Sequence, residues 1–328
     1  MSDNEAATTP DDERRQMALA ARRFFLEDRS KIEIAAELGV SRFKVARLLE
    51  QARETGVVTI TVHDSGVMAP ALAARVAEHL GLSRVVVVES GPAPEEVRRV
   101  VGEAAAHLLG RTLHDGEVLG MAWGRTLAAM SAALPALPRT TVVQLTGVTG
   151  HNIADSPVEI LRQVALRSGG AAYPIFAPLV VGDPRTAEAL RAEPGVARAF
   201  ELYDRLTTAV VSVGSWDPPN SQLYASLDPA ERDRLRDEGV RAEVTAALLA
   251  ADGTQLAPDV VARSITIPAE LLRRTPRIVA AAGGADKAHA VLAAVRAGLT
   301  TELVTDRSLA EELLRLPAVV PTGDPGSP

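Results

Sequence analysis

The sequence predicts an α/β protein in two parts, an N-terminal winged helix-turn-helix domain followed by a large, doubly wound, mostly parallel α/β domain. Three observations lead there. Residues 30–54, SKIEIAAELGVSRFKVARLLEQARE, place apolar side chains where two short helices crossing at a tight turn need them. From residue 84 onward, short apolar runs alternate with amphipathic helical stretches, the signature of βαβ units. With 328 residues and 47% apolar content, the chain has length and core-forming residues for a head of about 60 residues and a body of roughly 250.

In the head, Ile34, Ala35 and Leu38 line one face of the first helix, Gly39 and Val40 make the turn, and Val45, Leu48 and Leu49 line the inner face of the second. Ser41 falls at the second helix's N-cap, where a hydroxyl accepts an orphan backbone N–H. Arg42, Phe43, Lys44, Arg47 and Glu50 are left pointing outward, on the turn that would enter a DNA major groove. Ser41, Arg42, Phe43, Lys44 and Arg47 are therefore the candidate contacts to double-stranded DNA. An ordinary solvated helix face would also carry such charges, but the fit of the inner face favours DNA. Residues 14–60 hold ten Lys/Arg against six Asp/Glu, a balance of +4, while the rest holds 25 against 36, or −11. The net charge of −7 thus hides a basic module on an acidic body, and cations placed at phosphates matter more than the total. Residues 55–62, TGVVTITV, follow a glycine stop with β-branched residues and read as a strand or wing. The head accordingly spans residues 14–65 and the body 66–318, with loose polar tails at 1–13 and 319–328.

Cysteine is absent, which excludes disulfides and thiolate metal sites. The six histidines are scattered without metal-ligand spacing, so no metal is expected. Residues 1–13 lack the apolar core of a signal peptide, and no apolar run escapes interruption by charge or glycine, so a cytoplasmic protein without a membrane partner is expected.

The body's strand candidates are 85–88, 118–122, 141–145, 172–176, 209–213, 244–249, 278–282 and 303–305; helical patterns cover 70–80, 94–109, 125–134, 157–168, 229–238, 285–297 and 309–314. Parallel sheets bind ligands beyond the carboxyl ends of their strands. Three such ends have the chemistry for a phosphorylated ligand. In GEVLGMAWGRTL, the backbone N–H groups of Gly124, Arg125 and Thr126 open a helix, with the Thr126 hydroxyl and Arg125 guanidinium beside them. In IVAAAGGADKA, Lys287 follows Gly283-Gly284 in a first helical turn, where a cation gains nothing from the helix dipole and so answers an anion. The third is Leu145-Thr146-Gly147-Val148-Thr149-Gly150 with Asn152, Asp155 and Ser156 following, a polar strand end suited to sugar hydroxyls; Asp155 beside Pro157 could equally cap a helix. Neither glycine pattern is the G-x-G-x-x-G fingerprint and there is no Walker A motif, which disfavours a nicotinamide cofactor and a P-loop nucleotide. Trp123 reads as a packing residue.

The helix-turn-helix with GVVTITV, the GMAWGRT loop, AAGGADKAHAV and LVTDRSLAEELL, in that order over nearly the whole chain, resemble the SorC family of bacterial transcriptional regulators, sometimes grouped with DeoR-type repressors. The resemblance implies a body related in fold to ribose-phosphate isomerases and glucosamine-phosphate deaminases, a homotetramer, and operator affinity controlled by a phosphorylated sugar. Carried onto this sequence, Gly124, Arg125 and Thr126 resemble the family's phosphate loop, Lys287 its late lysine, and Glu243 its sugar-facing acid; with Gly147, Asp155 and Gly284 they form the candidate effector set. Two departures stand out. The family's S-R-x-T-V-S-R-L-L becomes SRFKVARLL here, with Lys44 for threonine and Ala46 for serine, so the operator cannot be borrowed. GVRAEV is less Gly-rich than usual around Glu243.

Two other function classes compete. A sugar-phosphate isomerase or deaminase with an accessory head would need a general base and a carbonyl-polarising group, roles open to Asp155, Glu243 and Lys287. A body that is only an oligomerisation platform would bind no sugar phosphate. A reading head is an odd appendage for a metabolic enzyme, which ranks the regulator first and predicts no catalysis and no cofactor.

Overall fold

The structure, a computed structural model, describes residues 10–27, 29–58, 68–149 and 156–319. The chain divides into two compact units, residues 1–64 and 65–328. The first holds α1 (Pro10–Phe25), α2 (Lys31–Leu38) and α3 (Arg42–Glu54). Ser30 and Glu33 open α2 with a reciprocal capping box: the Ser30 hydroxyl accepts the Glu33 N–H at 3.3 Å and the Glu33 carboxylate accepts the Ser30 N–H at 2.8 Å. Gly39, at φ 63°, ends the helix in the left-handed region that glycine enters without penalty. Ser41 then caps α3 by accepting the Lys44 N–H at 3.2 Å. These local choices set the angle between the helices, and Ile34, Ala35, Val45, Leu48, Leu49 and Ala52 meet Met17, Ala20 and Ala21 of α1 in one core. The helix α1 lay outside the sequence reading, and it begins at Pro10, inside the stretch expected to be a tail. Residues 59–67, which include the second half of the expected wing, lie outside the described residues.

In the second unit α4 (Pro70–Leu80) leads to β1 (Arg84–Val88), α5 (Pro94–Thr112), β2 (Val118–Met121), α6 (Arg125–Ala133), β3 (Thr141–Gln144), α7 (Pro157–Ser168) and β4 (Ala172–Tyr173). Next come α8 (Pro184–Ala192), α9 (Pro194–Phe200), β5 (Thr208–Val211), β6 (Gly214–Ser215), α10 (Gln222–Ser226) and α11 (Pro229–Asp237). The hairpin strands β7 (Ala242–Val244) and β8 (Ala247–Leu249), then β9 (Gln255–Leu256), α12 (Pro258–Ala262) and α13 (Ala269–Arg274), precede β10 (Arg277–Ala281), α14 (Ala288–Arg296), β11 (Glu302–Asp306) and α15 (Arg307–Leu313). Proline at the first turn opens α4, α5, α7, α8, α9, α11 and α12, where its missing N–H costs nothing.

Seven strands form one sheet in the order β1-β11-β10-β5-β2-β3-β4, every neighbouring pair parallel. The strands β2, β5 and β11 are buried at every residue, as a sheet covered on both faces requires, and their Val, Leu and Ala runs supply the apolar surface. The chain steps outward from β2 through β3 to β4, then returns to β5 beside β2 and proceeds the opposite way through β10 to β11. That reversal makes a crevice at the carboxyl ends of β2 and β5. The helices α5 and α6 approach closely at Gly102, where a Cβ would stand 2.8 Å from the Met130 nitrogen and 2.9 Å from the Thr126 carbonyl oxygen.

A second sheet, β6-β7-β8-β9, is antiparallel and was not anticipated. Its centre corrects the strand expected over 244–249: the chain turns at Thr245 and Ala246, φ 48° and 65°, so that Val244 pairs with Ala247. Neither turn residue is the Gly or Asn that hairpin turns favour, which is why the two apolar runs read as one. The Thr245 carbonyl accepts the Thr266 hydroxyl at 2.6 Å, and the Glu243 carboxylate accepts the Ala246 N–H at 3.2 Å; together they pin the turn. Two smaller corrections concern 172–176, where β4 stops at Tyr173, and 285–297, where a 3₁₀ turn (Ala285–Lys287) precedes α14. Among the described residues no helix is long and apolar enough to cross a membrane.

Leu127, fully buried on α6, contributes to the core under the sheet. Leu127→Ala is expected to cost about 2–5 kcal/mol, read as a lower urea midpoint with an unchanged slope.

Candidate functional site

A cleft of about 630 Å³ opens at the carboxyl ends of β1, β11, β10, β5 and β2. The residues that follow each strand line it: Glu89 and Ser90 after β1, Trp123 to Thr126 after β2, Ser212 to Gly214 after β5, Gly283 to Lys287 after β10, and Arg307 and Ser308 after β11. It therefore includes the reversal between β2 and β5.

Glycine permits two close approaches there. Gly124 has φ 133°, and a Cβ would lie 2.6 Å from the Ser212 hydroxyl, which donates to the Trp123 carbonyl at 2.7 Å. The turn into α6 thus lies flush against the end of β5, and the N–H groups at the start of that helix face a concave, half-dry space. Gly214 pairs with Glu243 across β6 and β7, where a Cβ would come within 2.6 Å of the Glu243 carboxylate.

Glu243 is only 3% exposed, and its carboxylate accepts the Ser221 hydroxyl at 2.7 Å besides the Ala246 N–H. Burial raises its pKa, while Ser221, Ala246, the Lys287 charge and Trp123 pull it back down. Lys287 donates from Nζ to the Val213 carbonyl at 2.9 Å, next to Gly214, the strand partner of Glu243. Loss of water lowers the pKa of this ammonium to about 8; the Arg125 charge is the next largest cause and Arg98 acts in the same sense, while Asp286 and Glu243 oppose them. Three cations, Arg98, Arg125 and Lys287, therefore converge on one space and raise one another's energy. An anion in that space would relieve all three.

The rest of the rim is tied by side chains. Arg125 hydrogen-bonds Asn220 from the segment that follows β6. Asp306, at the end of β11, accepts the Gly284 N–H at 2.8 Å and the Ser308 N–H at 3.0 Å, holding the glycine turn against the start of α15. Arg307 pairs with Glu89 at 2.5 Å and with Glu311 at 3.2 Å.

Of the residues expected to meet an effector, Gly124, Arg125, Thr126, Glu243, Gly284 and Lys287 all line this cleft. Gly147 does not. Its N–H donates to the Ile265 carbonyl at 2.7 Å, and a Cβ would lie 2.6 Å and 2.7 Å from the Pro178 and Ala177 carbonyl oxygens, so its smallness serves packing there. Asp155, with Gly150 and Asn152, lies outside the described residues. Sequence reading missed Arg98, Ser212, Asn220, Ser221 and Asp306. The Ser-Val-Gly-Ser that ends the 209–213 run, and the Asp-Arg-Ser of LVTDRS, were the available signals. Among the described residues no group of His, Asp or Glu is arranged to hold a metal ion.

In the head, Arg42, Phe43 and Arg47 are exposed and Lys44 half-buried on the outer face of α3, opposite Val45, Leu48 and Leu49. Ser41 is exposed at the cap. All five residues expected at DNA thus occupy one helix start and its outer face.

The family model described as "Putative sugar-binding domain" matches residues 68–315. The chain is 29% identical over 300 residues to the uncharacterized transcriptional regulator YjhU of Escherichia coli strain K12, covering 89% of this chain and 92% of that protein. To the deoxyribonucleoside regulator of Bacillus subtilis strain 168 it is 25% identical over 311 residues, covering 93% and 99%. The crystal structure of the full-length sorbitol operon regulator SorC from Klebsiella pneumoniae has the same fold, with a TM-score of 0.70 at 23% identity over 92% of this chain and 99% of that one.

Gly147→Ala is expected to destabilise the body by about 1–3 kcal/mol through crowding at the 177–178 backbone, read as a lower thermal midpoint. Phosphate affinity of the folded fraction should stay unchanged, and a loss would place Gly147 in the ligand's path.

Proposed function

The chain belongs to the SorC family of transcriptional regulators with a sugar-binding domain, and from that premise we propose that the cleft binds a phosphorylated sugar that controls operator binding by the head. The observation that carries this reading is the meeting of the α6 N-terminus at Gly124, Arg125 and Thr126 with Lys287, whose charge is held in a poorly hydrated place. A phosphate there takes backbone N–H groups from one side and an ammonium from the other. Glu243 suits the sugar end: its carboxylate accepts donors on the wall of the same cleft, and a sugar hydroxyl is one more donor.

In the head, Ser41, Arg42, Phe43, Lys44 and Arg47 meet the major groove of double-stranded operator DNA. The assembly is a homotetramer acting in the cytoplasm, which presents paired heads to paired half-sites. The effector need contribute only about 1–3 kcal/mol of coupling to change operator occupancy several-fold or more. The regulated genes belong to carbohydrate or nucleoside catabolism, a reading supported by relatives named for the sorbitol operon, for deoxyribonucleosides and for erythritol catabolism.

Calorimetric titration with a panel of pentose and hexose phosphates tests the cleft. One member should bind saturably without turnover, and product formation would instead favour an isomerase-like reading. Because the free Lys287 ammonium has a pKa of about 8, it must regain a proton to bind the anion above that pH. Affinity should therefore weaken about tenfold between pH 7 and pH 9, and Lys287→Met should flatten that limb. For the head, Arg42→Ala with Arg47→Ala should weaken operator binding and reduce the slope of log affinity against log salt by about 2 for each head engaged, or about 4 for a pair. An unchanged slope would remove both from the phosphates.

A further inference from the structure

The reading face of α3 carries one side chain that no phosphate or polar base edge can satisfy. Phe43 is 72% exposed at the second residue of the helix, and Phe25, the other exposed aromatic among the head's described residues, is far less so at 36%. The small core of the head takes nothing from it; Val45, Leu48 and Leu49 fill that role on the opposite face. The Arg42 guanidinium sits over the ring, 4.9 Å from its centroid. One face of the ring is thereby held by a cation and the other remains open. Arg47 lies one turn further along the same helix face, and Lys44 follows directly.

An apolar ring with one cation over it and two more on the same short stretch of helix is a poor surface for another protein's core, since those charges would be buried with it. It suits a groove walled by phosphates with an apolar group on its floor. The major groove offers one projecting apolar group among the standard bases, the C5-methyl of thymine; the other groups that distinguish the bases there are hydrogen-bond donors and acceptors, with cytosine showing only a C–H at the same place. We infer that Phe43 is a specificity-determining residue that selects thymine at a defined position of each operator half-site by packing on the C5-methyl group. Arg42 restricts the ring before contact and reaches the neighbouring phosphate or base. This rests on the DNA-reading role proposed for α3 and adds to it the identity of a base.

The experiment uses the full chain. Duplexes are selected from a random pool, and the enriched sequence is resynthesised with deoxyuridine at each thymidine in turn, which removes one methyl and nothing else. Wild-type protein is expected to lose about fourfold in affinity, the worth of one buried methyl, at one thymidine per half-site. Phe43→Ala should bind the original duplex more weakly by a similar or larger factor and be indifferent to uridine at that position, whereas Phe43→Leu should keep part of the methyl preference. Equal affinity of the wild type for thymidine and deoxyuridine duplexes at every position would overturn the assignment. So would a Phe43→Ala protein that keeps its uridine sensitivity, or one whose only change is a smaller assembly by light scattering, which would place the ring against a second copy. Failure of the wild type to enrich any duplex would overturn the DNA-reading role itself, and this assignment with it.

Discussion

The reversal of chain direction between β2 and β5 is the constraint from which the rest of the body follows. Parallel strands end together on one side of the sheet, and only where successive connections part to opposite sides is the space above those ends left unfilled. In this chain the parting occurs at two strand ends that both carry small residues, Trp123-Gly124-Arg125 and Ser212-Val213-Gly214. The glycines leave room for the Ser212 hydroxyl to close on the first turn and for the Glu243 carboxylate to close on the second. A larger residue at either place would fill the crevice that the topology creates.

Poor hydration then sets the chemistry of that crevice. The same loss of water acts on two groups of opposite sign, raising the pKa of Glu243 and lowering that of Lys287. Glu243 is compensated by donors from the hairpin turn and from Ser221, so its acceptor character is built into the antiparallel sheet. Lys287 has the opposite surroundings, with Arg125 and Arg98 adding like charge. The Glu243 carboxylate and the cations Arg98, Arg125 and Lys287 line the same cleft. A ligand that carries both hydroxyls and an anion matches that set, and an all-apolar molecule does not.

The parts legible in the sequence were those in which local chemistry and tertiary demand agree. The helices of the head announce themselves through Gly39 and Ser41, which make the turn and the cap their types suggest, while the Ser30–Glu33 capping box was equally present and went unread. The main strands were legible because burial on both faces demands unbroken Val, Ile and Ala runs. What escaped had no local signature. Thr245 and Ala246 turn in the left-handed region because Glu243 and Thr266 hold them there, not because their own preferences ask for it. Arg98 reaches the cleft from an amphipathic helix on which its charge looks like any solvated one. Gly147 illustrates the opposite error: a glycine at a strand end resembles a ligand turn, and only the carbonyl groups of Ala177 and Pro178 reveal why it is small.

The contact at Gly102 has a mechanical consequence. With no side chain between α5 and α6 there, their backbones touch across a layer too thin to compress. The two helices therefore pack backbone on backbone at this point, one starting at the Gly124 turn and the other carrying Val97 and Arg98 a single helical turn before Gly102. The spacing between the Gly124 turn and the Arg98 end of the crevice is thus set by a contact that leaves no room for a side chain of any size.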